Sequence, residues 1–210
     1  MTKKERATEV AKRLAEIYPE SVCALEYGGE PWRLLVMARL SAQCTDARVN
    51  AVSVSLFERY PTLRAMADAE IEELEEIVRP CGLYRTKAAS IKAACIDICE
   101  RFEGRVPDNM EDLLSLAGVG RKIANLILGD IYGKGGIVAD THCIRICGRL
   151  GFYSERYKDP KRTEDVMSKL INREEQSDFC HRIVQFGRDV CTARSPKCDA
   201  CPLRDICKRG

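Results

Sequence analysis

Apolar residues recur along most of the chain at spacings of three and four, the period of an amphipathic helix, and no alternating run is long enough to suggest a sheet. The pattern predicts an all-α protein. Val10, Leu14 and Ile17 form one stripe ahead of Pro19. Pro31 stands where a first-turn proline starts a helix through Leu34, Leu35 and Leu40, and Asp46 opens the next, which ends near Pro61. Further helices are expected at about 69–78, 85–102, 110–117, 121–132, 141–150, 163–171 and 175–190, with Gly104 as a stop after the second of these. Gly133-Lys-Gly-Gly136 interrupts the apolar pattern and marks an architectural seam.

Composition narrows this picture without changing it. The 210 residues, 45% hydrophobic, bury one or two ordinary cores. Eight of the twelve cysteines, Cys23, Cys44, Cys81, Cys95, Cys99, Cys143, Cys147 and Cys180, fall mostly within apolar helical patterns and read as small buried hydrophobes, which suits a reducing compartment. The charged, amphipathic first twenty residues lack the apolar core of a secretory signal, and no stretch has the length of a membrane span. The expectation is a cytoplasmic protein. A net charge of +2 does not announce a nucleic-acid partner, so any electrostatic case rests on distribution. From His181 to Gly210 seven Lys and Arg face three Asp, whereas Asp68, Glu70, Glu72, Glu73, Glu75 and Glu76 form a short acidic stretch that reads as a solvated helix face.

The remaining four cysteines close the chain as Cys191-x6-Cys198-x2-Cys201-x5-Cys207. Four thiolates within seventeen residues can wrap one four-iron, four-sulfide cubane, because each iron needs one soft anionic ligand and the chain between ligands need only loop. A zinc site often uses two Cys-x2-Cys pairs and only one is present, so iron–sulfur is preferred over zinc or a disulfide knot.

Leu116-Ala-Gly118-Val119-Gly120-Arg-Lys122 sets a Gly-x-Gly turn between two amphipathic helices. Glycine allows a positive φ and close approach of backbone N–H groups to an anion, and the following helix aims its positive end at the same place. A turn of this kind grips phosphate. No Walker or Rossmann sequence is present and no strand precedes the glycines, so the phosphates are those of a polymer rather than a free nucleotide. Lys122, near the first turn of the second helix and partly out of water, is a plausible amine nucleophile, although on spacing alone a solvated or phosphate-contacting lysine is the commoner case. Asp140 or Thr141 reads as a helix N-cap, and His142 as a packed or hydrogen-bonded histidine.

Together these strings resemble the endonuclease III family of helix-hairpin-helix-GPD DNA glycosylases. The resemblance runs from about residue 40 to the end through Leu40-Ser-Ala-Gln43-Cys-Thr-Asp46, Gly82-Leu83-Tyr84-x-x-Lys87-Ala, Leu116 to Asn125, Val138-Ala-Asp140-Thr-His142 and the terminal cysteines. It implies two helical lobes: a six-helix barrel at 24–134 carrying the helix-hairpin-helix, and a lobe of 1–23 and 135–210 holding one 4Fe-4S cluster on Cys191, Cys198, Cys201 and Cys207. It also implies excision of oxidised pyrimidines from duplex DNA, followed by β-elimination at the abasic site through a lysine Schiff base. Lys122 then matches the nucleophile and Asp140 its carboxylate. Gln43 and Leu83 match residues that fill the gap left by the flipped nucleotide, and Gly118, Val119, Gly120 and His142 join them in binding DNA. The partner is damaged double-stranded DNA and the protein a nucleoid-associated monomer. A monofunctional mismatch glycosylase and a non-enzymatic iron–sulfur DNA-binding redox sensor are the alternatives. Cys44 and Cys81 depart from the family pattern beside the two gap-filling residues.

Overall fold

The computed structural model describes residues 1–209. Among them the chain forms eleven α-helices and no β-strand. In order they are α1 (Lys3–Ile17), α2 (Pro31–Leu40), α3 (Asp46–Arg59), α4 (Leu63–Ala67), α5 (Ile71–Val78), α6 (Tyr84–Arg101), α7 (Met110–Ser115), α8 (Arg121–Asp130), α9 (Thr141–Arg149), α10 (Pro160–Leu170) and α11 (Gln176–Asp189). No described helix is long and apolar enough to cross a membrane.

The local chemistry of the helix ends explains most boundaries. Thr2 opens α1 with a capping box: its hydroxyl accepts from the Glu5 amide while the Glu5 carboxylate accepts from the Thr2 amide. Pro31 occupies the first turn of α2 and Asp46 opens α3, both as expected, with Thr45 as the cap of α3, its hydroxyl accepting from the Arg48 amide at 3.3 Å. Two features differ from the periodicity. The single-turn α4, capped by Thr62, was not anticipated, because five residues are too few to display a period. The helix expected from residue 163 begins at Pro160 behind an Asp159 cap, a proline tolerated there because its missing N–H has no acceptor in a first turn.

The chain divides into two compact units: Ala24–Ile131, and Met1–Cys23 together with the chain from Tyr132 onward. In the first, α6 packs against α2, α4 and α5, while α8 packs against α2 and α7. Leu34, Leu40, Leu56, Leu74, Ile98 and Ile127 are fully buried there. In the second, α1, α9, α10 and α11 surround a core that takes Val10 and Leu14 from one end of the sequence and Leu203 and Ile206 from the other. Fully burying such a side chain stabilises by about 1.5–3 kcal/mol, so both ends of the chain are tied into this unit. The acidic stretch is a solvated face of α5 in which Glu73 takes two bonds from Arg59, at 2.6 and 2.8 Å, and one from Tyr60.

Candidate active-site hairpin and cysteine tail

Asn109 caps α7 by accepting from the Asp112 amide at 3.0 Å, and the helix stops at Leu116, whose backbone is extended. The Val119 amide then closes a tight turn on the Leu116 carbonyl at 3.2 Å. Gly118 sits at φ +74°, which the turn requires. A Cβ there would also lie 2.5 Å from Arg39 Nε and 2.9 Å from Ser90 Cβ, so the glycine permits both the conformation and the close approach of α2 and α6. Gly118→Ala should therefore cost about 2–4 kcal/mol, a shift read directly from the urea midpoint of the Ala24–Ile131 unit. Gly120 is different from the expectation: its backbone is extended and a Cβ there would meet nothing within 4 Å, so its value is an open approach rather than a special φ.

Gly120 is the N-cap of α8 and supplies no side-chain cap, which leaves the first-turn amides directed outward at the positive helix end. Lys122 is the second residue of this helix. It is exposed, not partly withdrawn from water as the spacing suggested. The helix α8 is ten residues long and its buried run, Ala124 to Leu128, begins only after the first turn, so Lys122 stands at the open end ahead of it. Val119 is buried at the tip of the turn. Two more turns of the same unit hold Gln43, exposed at φ +55°, and Leu83, 58% exposed at φ +48°. A large apolar side chain this exposed in a strained backbone has no packing role in the free protein.

In the other unit Asp140 is the N-cap of α9, its Oδ1 accepting from the Cys143 amide at 2.7 Å. That bond fixes the orientation of the half-buried carboxylate. His142 Nδ1 stands 3.2 Å from Arg145 Nη2, and since a guanidinium only donates, Nδ1 accepts.

The terminal cysteines, three half-buried and Cys198 exposed, line a small hollow, partly open to solvent, whose inner wall is Ile146, Leu150, Phe186, Val190 and Leu203. Among the described residues no three His, Cys, Asp or Glu side chains are gathered closely enough for a single ion. A tetrahedral ion would draw four sulfurs to within about 3.8 Å of one another, whereas a cluster holds them wider around its own atoms. Sequence reasoning missed the strongest sign of fit, Arg149. This arginine is buried and donates to Cys191 Sγ at 3.3 Å, to the Thr192 carbonyl at 2.7 Å and to the Ala193 carbonyl at 2.9 Å, placing positive charge beside the Cys191 sulfur. A cap of this kind has no local signature, because its partners lie more than forty residues away. Soft ligands, an apolar wall and a charge partner together suit an iron–sulfur group. Of the tail's basic residues, Arg204 pairs with Asp199 and Arg209 with Glu155, which orients them along the surface.

Residues 36–173 match the model of the HhH-GPD superfamily base excision DNA repair proteins, and residues 191–207 match the iron–sulfur binding domain of endonuclease III. Endonuclease III of Synechocystis sp. is 44% identical over 207 residues, 98% of this chain and 93% of that protein. Among solved structures, a trapped endonuclease III–DNA covalent intermediate in an estranged-adenine complex superposes with a TM-score of 0.92 at 38% identity, covering 100% of this chain and 97% of that one. A thermostable thymine-DNA glycosylase superposes at 0.87 with 20% identity, covering 98% and 96%, a likeness of fold alone. The chain thus belongs to the HhH-GPD superfamily of base excision DNA repair proteins, in the DNA glycosylase/AP lyase class that endonuclease III represents.

Proposed function

We propose that this glycosylase removes oxidised pyrimidines from duplex DNA and cleaves the resulting strand by β-elimination, with Lys122 as its nucleophile. The observation that carries the reading is the placement of Lys122: an exposed amine two residues past an uncapped glycine turn, within reach of any phosphate the turn holds. A covalent DNA intermediate trapped on a structural relative supports it.

The chemistry follows from those parts. Backbone amides of the Gly118–Gly120 turn hold a phosphate, and Gln43 and Leu83 enter the space vacated when the damaged nucleotide leaves the stack. Because the protein leaves Lys122 exposed, the exclusion of water around its amine comes from the bound DNA. The amine attacks C1′ as the C1′–N bond breaks and its electrons leave with the base. Asp140, held by the Cys143 amide, is assigned to the cationic sugar that develops in that step. The C1′–O4′ bond then breaks as the amine gives up a proton and O4′ takes one, which leaves an iminium on Lys122 that acidifies a C2′ proton; removal of that proton expels the 3′ phosphate oxygen, and water then releases the lysine.

Cys191, Cys198, Cys201 and Cys207 are the four ligands we assign to one 4Fe-4S cluster, which when bound supplies a rigid cross-link for the tail. Arg194 and Lys197, exposed beside it, add phosphate contacts. The partner is damaged double-stranded DNA, met by a monomer working with the chromosome in the cytoplasm.

The decisive measurement is a panel of duplex oligonucleotides, each with one damaged base or an abasic site, resolved after heat and after alkali with and without borohydride. Oxidised pyrimidines should give strand breaks without alkali and a protein–DNA adduct on borohydride reduction. Breaks that appear only after alkali, with no adduct, would assign the chain to the monofunctional mismatch enzymes instead.

A further inference from the structure

Lys87 is fully buried in the second turn of α6, where the bland choice would be an apolar residue. A buried lysine without partners costs several kcal/mol, so what it bonds to is informative. Its Nζ donates to two backbone carbonyls, Leu40 and Cys81, each at 2.8 Å. Leu40 ends α2 and Cys81 ends the 3₁₀ turn Arg79–Cys81. Three residues past the first carbonyl comes Gln43, and two past the second comes Leu83, both in the left-handed region that costs a non-glycine residue about 1–2 kcal/mol. Strained conformations persist only where surrounding structure over-determines them. One side chain thus joins the roots of two strained turns that are forty residues apart in sequence.

The same residue connects to the hairpin. Its backbone carbonyl accepts from Ser90 Oγ at 3.0 Å, Ser90 Oγ accepts from Arg39 Nε at 2.8 Å, and the Arg39 and Ser90 side chains are those a Gly118 Cβ would strike. Burial pulls the Lys87 amine below the usual lysine range, and even the neutral amine keeps the two N–H bonds its carbonyls need.

We propose that Lys87 is a positioning residue: a buried clamp that holds the Gln43 and Leu83 turns at a fixed separation, so that both side chains enter the duplex together and the damaged nucleotide is extruded. The inference rests on the proposed gap-filling role of Gln43 and Leu83. Lys87 touches no reacting atom.

The test compares a substrate that needs the gap filled with one that does not. Lys87→Met and Lys87→Gln are assayed for single-turnover excision of thymine glycol from a duplex, and for borohydride trapping on a single-stranded abasic oligonucleotide, whose sugar is already unstacked. Duplex excision should fall about 30-fold, the factor expected when a buried charge-assisted bond is lost, while single-strand trapping changes by less than about threefold. The glutamine variant, which retains one amide donor, keeps the test readable if the methionine variant fails to fold. In a Leu83→Ala background, Lys87→Gln should add less than about threefold, because the clamp then has little left to hold. Equal losses on both substrates, an undiminished duplex rate, or full additivity with Leu83→Ala would each overturn the clamp. Wild-type protein inactive on the duplex would overturn the underlying function as well, which separates the two failures.

Discussion

Lys122→Gln is expected to eliminate borohydride trapping and reduce strand scission by about a thousandfold or more, while leaving the fold intact. The size follows from the role: without the amine no iminium forms, the C2′ proton is not acidified, and the 3′ phosphate has no route to leave. The selectivity follows from the position. Lys122 is exposed in the first turn of α8, ahead of the buried run from Ala124 to Leu128, so its replacement removes little packing and should shift stability by no more than about 0.5 kcal/mol. Affinity for an abasic duplex should weaken less than tenfold, roughly the loss of one phosphate-range charge. Gel shift, melting and trapping on the same preparation check all three. Incision at wild-type speed would remove Lys122 from the chemistry, and equal loss of binding and turnover would recast it as a phosphate contact.

Replacing one cysteine of the tail should act on the opposite property. Cys201→Ala is expected to give a protein without the broad absorption near about 400 nm that thiolate-bound iron shows, and with a tail open to protease. Besides those ligands the segment from Cys191 to Cys207 is held by two buried side chains, Leu203 and Ile206, by two 3₁₀ turns, by the Arg145 and Arg149 bonds to residues 191–193, and by the Arg13 contacts with Pro202 and Asp205. Structural metals contribute on the order of 10 kcal/mol in small metal-built domains, more than two buried aliphatic side chains at about 1.5–3 kcal/mol each supply. Once the tail loosens, Leu203 and Ile206 withdraw from the core they share with Val10 and Leu14, and α1 loses packing. Trypsin should therefore cut at Lys197 and Arg204 well before the Ala24–Ile131 unit is touched, with fragments read by mass spectrometry. A colourless variant as resistant as wild type would show that the thiolates do not hold the tail.

These expectations draw on two kinds of information. Helix periodicity, the Pro31 start, the turn glycine at 118 and the cysteine spacing are local, and local physics determines them: 3.6 residues per turn, a fixed proline φ, a left-handed turn position, a short loop between soft ligands. They were legible before any coordinates, as was the all-helical class. The start of α3 at Asp46 was legible too; a boundary faltered at Asp159, where a cap replaced a period, and α4 is too short to have one.

Other features depend on which segments meet. Lys87 reads as an ordinary helical lysine until the end of α2 and the Arg79–Cys81 turn bring their carbonyls to its amine. Arg149 reads as a surface residue of α9 until residues 191–193 fold back on it. Lys122 reads as partly sheltered from its place near a helix start, yet α8 packs against α2 and α7 through the run from Ala124 to Leu128 and leaves the first turn open. Hydrogen bonding is short-ranged in space and indifferent to separation along the chain, so partners forty residues apart leave no period or motif for a sequence reading to find.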